Sequence, residues 1–369
     1  MKLFKSLLVA PATLGLLAPM AATANEVTIS DFAPAEELAI TNSRVDGLEA
    51  RMNDYEAGSF SETTTASFGV DYYLGVLDDD DGTGDERLSF GYSLGISLNT
   101  SFTGEDSLDI AIDAGTSPEG VAEFDGNTKG DGLLVDGISY TFPLGGATVI
   151  VGDNTDGSAL FTTACAYGGP GAMLDDCANV NAGITGGEAT IGASYDFGSG
   201  VTVATGFQTS SDDKGVFTED SLDSYAFNAA YTADSYGISV TYGITETSIT
   251  EEDTAVAFNA YFAPEGGGLP SISAGYETVD IGGAAAIRDE KSSFFIGLSW
   301  DEVGPGSAGV AMGHSNTNEE KDAEYQYEAY YSYPINDGMT VTPLIFTKGN
   351  DTAGKDDTTG VMVKTSFSF

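Results

Sequence analysis

The segment Leu88-Ser89-Phe90-Gly91-Tyr92-Ser93-Leu94-Gly95-Ile96-Ser97-Leu98-Asn99 decides the fold class. Apolar or aromatic side chains alternate with Ser, Gly or Asn, and a period of two is the pattern of a β-strand with one apolar face. The alternation lasts about eleven residues, close to the 9–11 that a tilted strand needs to cross a bilayer. A soluble sandwich strand would also alternate, so length and repetition have to separate the two cases.

The same alternation returns many times along the chain. Clear repeats lie at 189–197, 236–244 and 294–300. The segments start near Glu62, Arg87, Leu108, Leu133, Ala147, Glu188, Val201, Ser224, Tyr236, Thr254, Pro270, Ser292, Ser307, Tyr325, Met339 and Gly360. Their connections alternate between short turns and long acidic loops, which is the asymmetry of a membrane barrel. We therefore predict an all-β fold, a transmembrane antiparallel β-barrel of about 16 strands over residues 59–369.

Charge and composition exclude several classes of protein. Asp and Glu number 57 against 13 Lys and Arg, which gives a net charge of −44. A nucleic-acid partner is excluded, because such a partner requires a basic face. One histidine and two cysteines are too few for zinc fingers or iron–sulfur clusters. A hydrophobic share of 41% is too high for a disordered chain.

Residues 1–24 have the pattern of a cleaved signal peptide. Lys2 and Lys5 precede an apolar stretch from Leu7 to Met20, and Ala22-Thr23-Ala24 supplies a small-x-small cleavage site. A membrane anchor is the alternative, but the stretch is short and interrupted by prolines. We therefore expect an exported protein in the cell outer membrane, in contact with its lipid.

Residues 25–58 differ from the rest of the chain in being charged and free of the alternation. Leu38, Val45, Leu48, Met52 and Tyr55 follow the heptad spacing of a short coiled coil. The segment is predicted to form a periplasmic helical stalk. A solvated linker with chance spacing is the alternative, because two heptads are marginal alone.

Motifs typical of enzymes fail on inspection. Gly91–Gly95 has the spelling of a nucleophile elbow, but it lies inside an uninterrupted strand pattern. Asp78–Asp81 resembles a calcium loop, but Leu88 occupies the position where a glutamate is required. His314 is interpreted as a rim or interface side chain. We therefore predict no catalytic residue, no cofactor and no metal ligand.

Several segments carry a family resemblance. They are Met1-Lys2-Leu3-Phe4, Leu7–Ala12, Arg44-Val45-Asp46-Gly47-Leu48-Glu49-Ala50-Arg51, Val151–Ser158, Ala164–Pro170, Leu174–Cys177 and Ser194–Gly198. These segments resemble cyanobacterial outer-membrane porins. The resemblance implies a homotrimeric porin that admits small solutes, with inorganic ions and iron among them. Family members usually carry a surface-layer-homology domain as well, and residues 25–43 are too few for one.

The final segment is predicted to be the last strand. Val361, Val363, Thr365, Phe367 and Phe369 share one face of it. Phe367 and Phe369 are the residues that we expect the barrel-assembly machinery to read. The alternative is a strand that carries no such signal.

The longest connection, 153–187, is the candidate constriction loop. It is the third loop on the long-loop rim and contains Cys165 and Cys177. Because an exported protein lies in an oxidising compartment, we predict that these cysteines form a disulfide rather than remain free thiols. The loop either folds into the lumen or stays a stapled surface loop. If it folds inward, its acidic residues would line the narrowest point. They are Asp153, Asp156, Asp175 and Asp176.

Strand parity assigns further charges to the lumen. They are Asp71, Arg87, Asp109, Asp113, Asp196, Glu328 and Lys364. Acidic rings favour cations, so the expected channel is weakly cation-preferring. The alternative is that the net charge reflects solubility alone.

Two classes of function fit this barrel. The first is a porin for passive diffusion of small hydrophilic solutes and ions, or a substrate-specific channel for carbohydrate or iron. The second is a non-conducting structural barrel or adhesin with a packed interior. A sixteen-stranded barrel leaves a hole too wide for side chains alone to fill, and the predicted inward faces are rich in small residues, which favours the channel.

Overall fold

The computed structural model describes residues 63–78, 88–116, 127, 130–171, 174–210, 218, 221–266, 268–283, 290–318, 323–349 and 357–369. The predicted signal peptide at 1–24, the predicted stalk at 25–58 and Arg87 lie outside the described residues. Within the described ranges, no helix is long and apolar enough to cross a membrane.

The described part of the chain forms sixteen strands. Their bounds are β1 Thr64–Asp78, β2 Leu88–Thr100, β3 Ser107–Gly115, β4 Gly130–Leu144, β5 Ala147–Asp153, β6 Ala189–Gly198, β7 Val201–Thr209, β8 Asp223–Thr232, β9 Tyr236–Ser248, β10 Glu251–Phe262, β11 Ser271–Asp280, β12 Glu290–Val303, β13 Gly306–Asn318, β14 Gln326–Asn336, β15 Met339–Lys348 and β16 Thr358–Ser368. The sequence of each strand alternates because successive side chains point to opposite faces, one toward the apolar outside of the barrel and one toward its lumen.

The strands form one closed antiparallel barrel. Each strand pairs with its neighbours in the chain, and β1 pairs with β16 from Gly69↔Ser368 to Asp78↔Thr359. Closure leaves no sheet edge, so every strand has partners for its backbone groups on both sides. The predicted fold class and strand number are confirmed, and the predicted strand starts agree with the observed ones to within about three residues.

Alternation separates an outward face from a lumen face. In β1, Tyr72 is 43% exposed on the outside, whereas Tyr73 is 1% exposed on the inside. Aromatic side chains cluster on the outer surface near the closure, where the Phe68 and Phe369 rings stack at 5.8 Å. Large apolar residues such as Phe68 and Tyr72 therefore face outward, as the sequence predicts for a strand in contact with lipid.

The two rims differ, with one exception. The turn between β4 and β5 is only Gly145-Gly146, whose φ values of 61° and 91° suit a two-residue hairpin turn. Most connections on the other rim are long, but β9 and β10 are joined by Ile249-Thr250 alone. The long-loop rim is therefore interrupted by one tight hairpin.

Candidate functional site

The connection between β5 and β6, residues 154–188, is called L3 here and lies against the inner face of the barrel. Its backbone is satisfied by side chains of the wall instead of by strand pairing. Backbone N–H groups of L3 donate as follows: Gly157 to Gln208 Oε1 (2.9 Å), Thr162 to Asn228 Oδ1 (3.1 Å), Ala164 to Ser239 Oγ (2.9 Å) and Ala166 to Ser273 Oγ (2.8 Å). Since these acceptors belong to β7, β8, β9 and β11, L3 crosses the lumen side of that half of the barrel.

Glu277 on β11 holds the returning part of L3. Its Oε1 accepts hydrogen bonds from the backbone N–H groups of Asn181 (2.8 Å) and Ala182 (2.7 Å). Its Oε2 accepts a third from Asn181 Nδ2 at 2.6 Å. Glu277 is fully buried, so these three donors replace the water that its carboxylate would otherwise require.

An apolar cluster fixes the middle of L3. Tyr167 packs on Phe295 of β12 with ring centroids 5.3 Å apart, and its hydroxyl donates to Glu328 Oε1 of β14 at 2.5 Å. Burial, together with the adjacent Glu328 carboxylate, raises the pKa of Tyr167 above its usual range. Tyr167 therefore stays protonated and keeps donating at physiological pH.

The cysteines of L3 are joined. Cys165 and Cys177 form a disulfide with Cα atoms 6.4 Å apart, and the Cys177 carbonyl accepts a hydrogen bond from Asn259 Nδ2 on β10 at 2.7 Å. The disulfide closes a ring within L3 directly against the wall.

Small residues of the wall make room for L3. A Cβ added at Gly206 on β7 would overlap the carbonyl oxygen of Gly157, and one added at Gly275 on β11 would overlap that of Cys177. Only glycine permits so close an approach of two backbones. Part of the small-residue pattern on the inward faces therefore accommodates L3 instead of leaving open space.

The opposite wall, formed by β16 and β1–β4, carries charges. Lys364 Nζ lies 3.5 Å from Asp71 Oδ2 and 5.9 Å from the centre of the Tyr73 ring. Asp109 accepts hydrogen bonds from Asn99 Nδ2 and Ser107 Oγ, both at 2.6 Å. The predicted parity of Asp71, Asp109 and Lys364 agrees with the observed register.

A cavity lies between this wall and the beginning of L3. Its volume is about 410 Å³, and its lining includes Asp109, Asp136 and Asp156. Asp136 is the extra residue of a β-bulge, because Ala111 pairs with Gly137 while Ile112 pairs with Val135. The bulge explains why Asp136 departs from strict alternation in the sequence.

The other predicted site residues are dispersed. Asp113 has lumen parity, and Asp196 is an exposed lumen-side residue beside the Gly198–Gly200 turn. Asp175 and Asp176 are exposed in L3. Asp153 ends β5 and shares the outward face with its partner Ile138, so the structure does not place it with the lumen acids. Glu328 has lumen parity but is buried beneath L3.

Several lumen-side residues were missed in the sequence, and Asp253 of β10 is one of them. The alternation in β11 would have placed Glu277 inward between the outward residues Tyr276 and Thr278. Lys291 and Lys348 also have lumen parity, at the long-loop ends of β12 and β15. Their strands gave an ambiguous pattern, because Phe295 and Phe346 are apolar residues that face inward.

The remaining predicted residues lie on the outside. Phe367 contacts the Tyr72 ring edge-on with centroids 6.1 Å apart. His314 pairs with Phe294 on the outward face, and its ring contacts Tyr325 at 5.5 Å. Among the described residues, no group of three or more His, Cys, Asp or Glu side chains is arranged to hold a metal ion.

Comparison with known proteins identifies the fold. No family model matches the chain. An uncharacterized protein from Nostoc sp. is 26% identical, with 94% of this chain and 74% of that protein covered. The chain is similar to the structure of the anion-selective porin from Comamonas acidovorans (TM-score 0.59, 17% identity, 83% of this chain and 99% of that chain).

Two further solved structures are similar to a comparable degree. Pseudomonas putida OprB gives a TM-score of 0.59 at 12% identity, over 83% of this chain and 94% of that chain. A mutant of the Rh. blastica porin gives 0.56 at 14% identity, over 83% of this chain and all of that chain. The closed sixteen-stranded barrel of this protein therefore has the porin fold.

Proposed function

We propose that this protein is an outer-membrane porin, a water-filled channel for passive diffusion of small hydrophilic solutes and inorganic ions with a weak preference for cations. The observation that carries the proposal is the position of L3. It packs against the inner faces of β7–β14, and it shares a cavity with the charged wall of β3 and β4. A solute passing between L3 and that wall would meet polar and charged side chains.

The charges of that wall support the preference for cations. Asp109, Asp136 and Asp156 line the same cavity, and acidic groups at a narrow point favour cations over anions. In the described strands, the lysine nearest to them in the register is Lys364, which forms an ion pair with Asp71 and so offsets little of this charge. Asp175 and Asp176 would add to the negative field from L3.

The assembly and origin of the protein belong to the same proposal. The similarity to the Nostoc protein and the quoted sequence segments support a cyanobacterial-type porin. The resemblance of those segments to porins implies the homotrimer. The proposal also includes export by the signal peptide at 1–24 and a periplasmic stalk at 25–58. It further includes recognition of Phe367 and Phe369 by the barrel-assembly machinery.

Single-channel recording tests this function. The purified protein in a planar bilayer is expected to give stepwise conductance, and a KCl gradient is expected to give a reversal potential of the cation-preferring sign. Lys364→Gln should raise the K⁺/Cl⁻ permeability ratio by about twofold, because it leaves the Asp71 carboxylate without its ion-pair partner. Asp175→Asn/Asp176→Asn should lower that ratio.

Two results would contradict the proposal. A correctly folded oligomer that conducts no current would eliminate the channel. An anion preference of the wild type would contradict the proposed cation selectivity. The salt dependence is a control, because screening by KCl should weaken an electrostatic cation preference as the concentration is raised.

A further inference from the structure

A group of polar residues is buried on the outside of the barrel at the long-loop rim. Thr209 ends β7 and pairs with Asp223, which begins β8. Both point away from the lumen, because their neighbours Gln208 and Ser224 lie on the lumen face. Thr209 and the adjacent Ser221 are each 1% exposed, and Asp223 is 3% exposed. A carboxylate is therefore buried where the fold of the barrel does not require one.

The Asp223 carboxylate is incompletely satisfied. Hydroxyls of Thr209, Ser221 and Tyr225 hydrogen-bond to it, but its Oδ1 atom is buried and has no hydrogen-bond partner in the described structure. The neighbouring ionisable group is Glu246 of β9, whose Oε2 accepts a hydrogen bond from the Asp223 backbone N–H at 3.1 Å. A second acid cannot neutralise the first, so no cation among the described residues offsets this buried negative charge.

The chemistry of the group points to a cation. Its donor atoms are all oxygens, from two carboxylates and from hydroxyl groups, and hard divalent cations prefer such ligands. A bound cation would supply the missing partner of Asp223 Oδ1 and would offset the repulsion between the carboxylates of Asp223 and Glu246. The protein supplies fewer oxygens than the six or more that such an ion binds, so water molecules would occupy the remaining coordination positions.

We propose that Asp223 and Glu246, with the hydroxyls of Thr209 and Ser221, bind a divalent cation such as Ca²⁺ or Mg²⁺ on the outer surface of the barrel. The site is separate from the proposed channel, because it lies on the outward face of the strands. Glu252 pairs with Glu246 on that face, and its negative charge raises the local cation concentration.

Heat stability with and without Ca²⁺ tests the site. Ca²⁺ is expected to raise the unfolding temperature of the purified full chain relative to EDTA, because an ion that binds only the folded state stabilises it. Asp223→Asn should require at least about tenfold more Ca²⁺ for the same shift. In EDTA this variant should be at least as stable as the wild type, because it removes a buried charge. Asp280→Asn, an exposed acid of the same rim, is the matched control and should respond to Ca²⁺ as the wild type does.

Terbium gives a second readout that does not depend on unfolding. Tb³⁺ bound at the site should emit when Tyr225 is excited, Ca²⁺ should displace it, and Glu246→Gln should weaken its binding. Tyr225→Phe should lower the emission, because it removes the tyrosine whose hydroxyl hydrogen-bonds to Asp223. An equal response of the wild type and Asp223→Asn to Ca²⁺ would overturn the proposal, as would a wild type whose stability Ca²⁺ does not change.

Discussion

The inner wall of β7–β14 and the inner wall of β16 and β1–β4 differ in what they contact. On the first, side chains such as Glu277 and Gln208 bind the backbone of L3. On the second, Asp109 and Asn99 bond to each other, and the Asp71–Lys364 pair is only partly buried. Both walls have small polar residues at alternate positions. The same sequence pattern therefore forms a packed interface with L3 on β7–β14 and an open polar surface on β16 and β1–β4.

Two glycines show how the difference arises. Gly275 and Gly95 both face the lumen, and each follows the same alternation in its strand. A Cβ at Gly275 would meet the backbone of Cys177, whereas a Cβ at Gly95 would meet no atom within 4 Å. A small inward residue therefore indicates close packing only where another segment of the chain fills the adjacent space.

The largest expected effect comes from removing the anchor of L3. Glu277→Ala leaves the backbone N–H groups of Asn181 and Ala182 without their acceptor and removes one of the two hydrogen bonds of the Asn181 amide, which should cost about 2–4 kcal/mol of unfolding free energy. L3 should also become mobile, so that the channel current becomes noisy. Urea unfolding in lipid vesicles and single-channel recording measure the two effects.

The control for this substitution lies on the opposite wall. Asp109→Ala removes a carboxylate whose hydrogen bond from Asn99 is exposed and whose hydrogen bond from Ser107 is only part-buried, so its cost should stay below about 1 kcal/mol. Equal destabilisation by the two substitutions would show that the walls do not differ in the way described.

A smaller effect is expected from filling the space under L3. Gly275→Val forces the Cys177 backbone away from β11 and should cost about 1–3 kcal/mol, as overpacking does. It should also change the single-channel conductance, because the displaced L3 occupies a different part of the lumen.

Gly95→Val is the matched substitution for Gly275→Val. It has room and lies in a strand, so its unfolding free energy should stay within about 0.5 kcal/mol of the wild type. If Gly275→Val proved as harmless as Gly95→Val, L3 would not be seated on β11.

The smallest expected effect is on the pH dependence of stability, through the turn between β2 and β3. This turn stabilises the wall of β16 and β1–β4, which L3 does not cover. Hydrogen bonds from the Tyr140 hydroxyl, and further ones from Thr103 and Ser101, hold the pKa of Asp106 well below its usual range. A lowered folded-state pKa means that the contribution of Asp106 is complete at neutral pH. It is lost as the pH falls below about 4, because the unfolded chain takes up the proton first.

Acid unfolding of two variants measures this contribution. Asp106→Asn should reduce the loss of stability between pH 7 and pH 3, whereas Glu105→Gln, at the exposed neighbouring position, should not. An acid dependence that is identical in the wild type and Asp106→Asn would locate the sensitivity elsewhere.

Much of this architecture could be predicted from alternation alone. The largest errors in the strand starts are about three residues, at β4 and β10. The lumen parity of Asp71 and Lys364 followed from their alternation with Tyr72, Val363 and similar outward residues. Asp153 was misplaced because it lies at the end of β5, where loop and strand are not distinguishable in the sequence.

Inward apolar residues were the main source of missed assignments. Tyr73, Leu344, Phe346 and Met362 form a buried cluster on the lumen side of β1, β15 and β16. Because these strands are apolar on both faces, the sequence does not show which face is outward, and Lys348 was not assigned to the lumen. Glu277 was available from the pattern of β11, but its role depends on L3.

The amino-acid sequence by itself determined the strands, their number and the closed barrel, because a two-residue period and the need to satisfy every strand edge act locally and between neighbours in the chain. Only the tertiary structure decided where L3 lies and which acids meet in one place. Those contacts join residues such as Tyr167 and Glu328, 161 positions apart, and no local pattern encodes them. Their energy comes from burying donors and acceptors together, which requires the completed barrel.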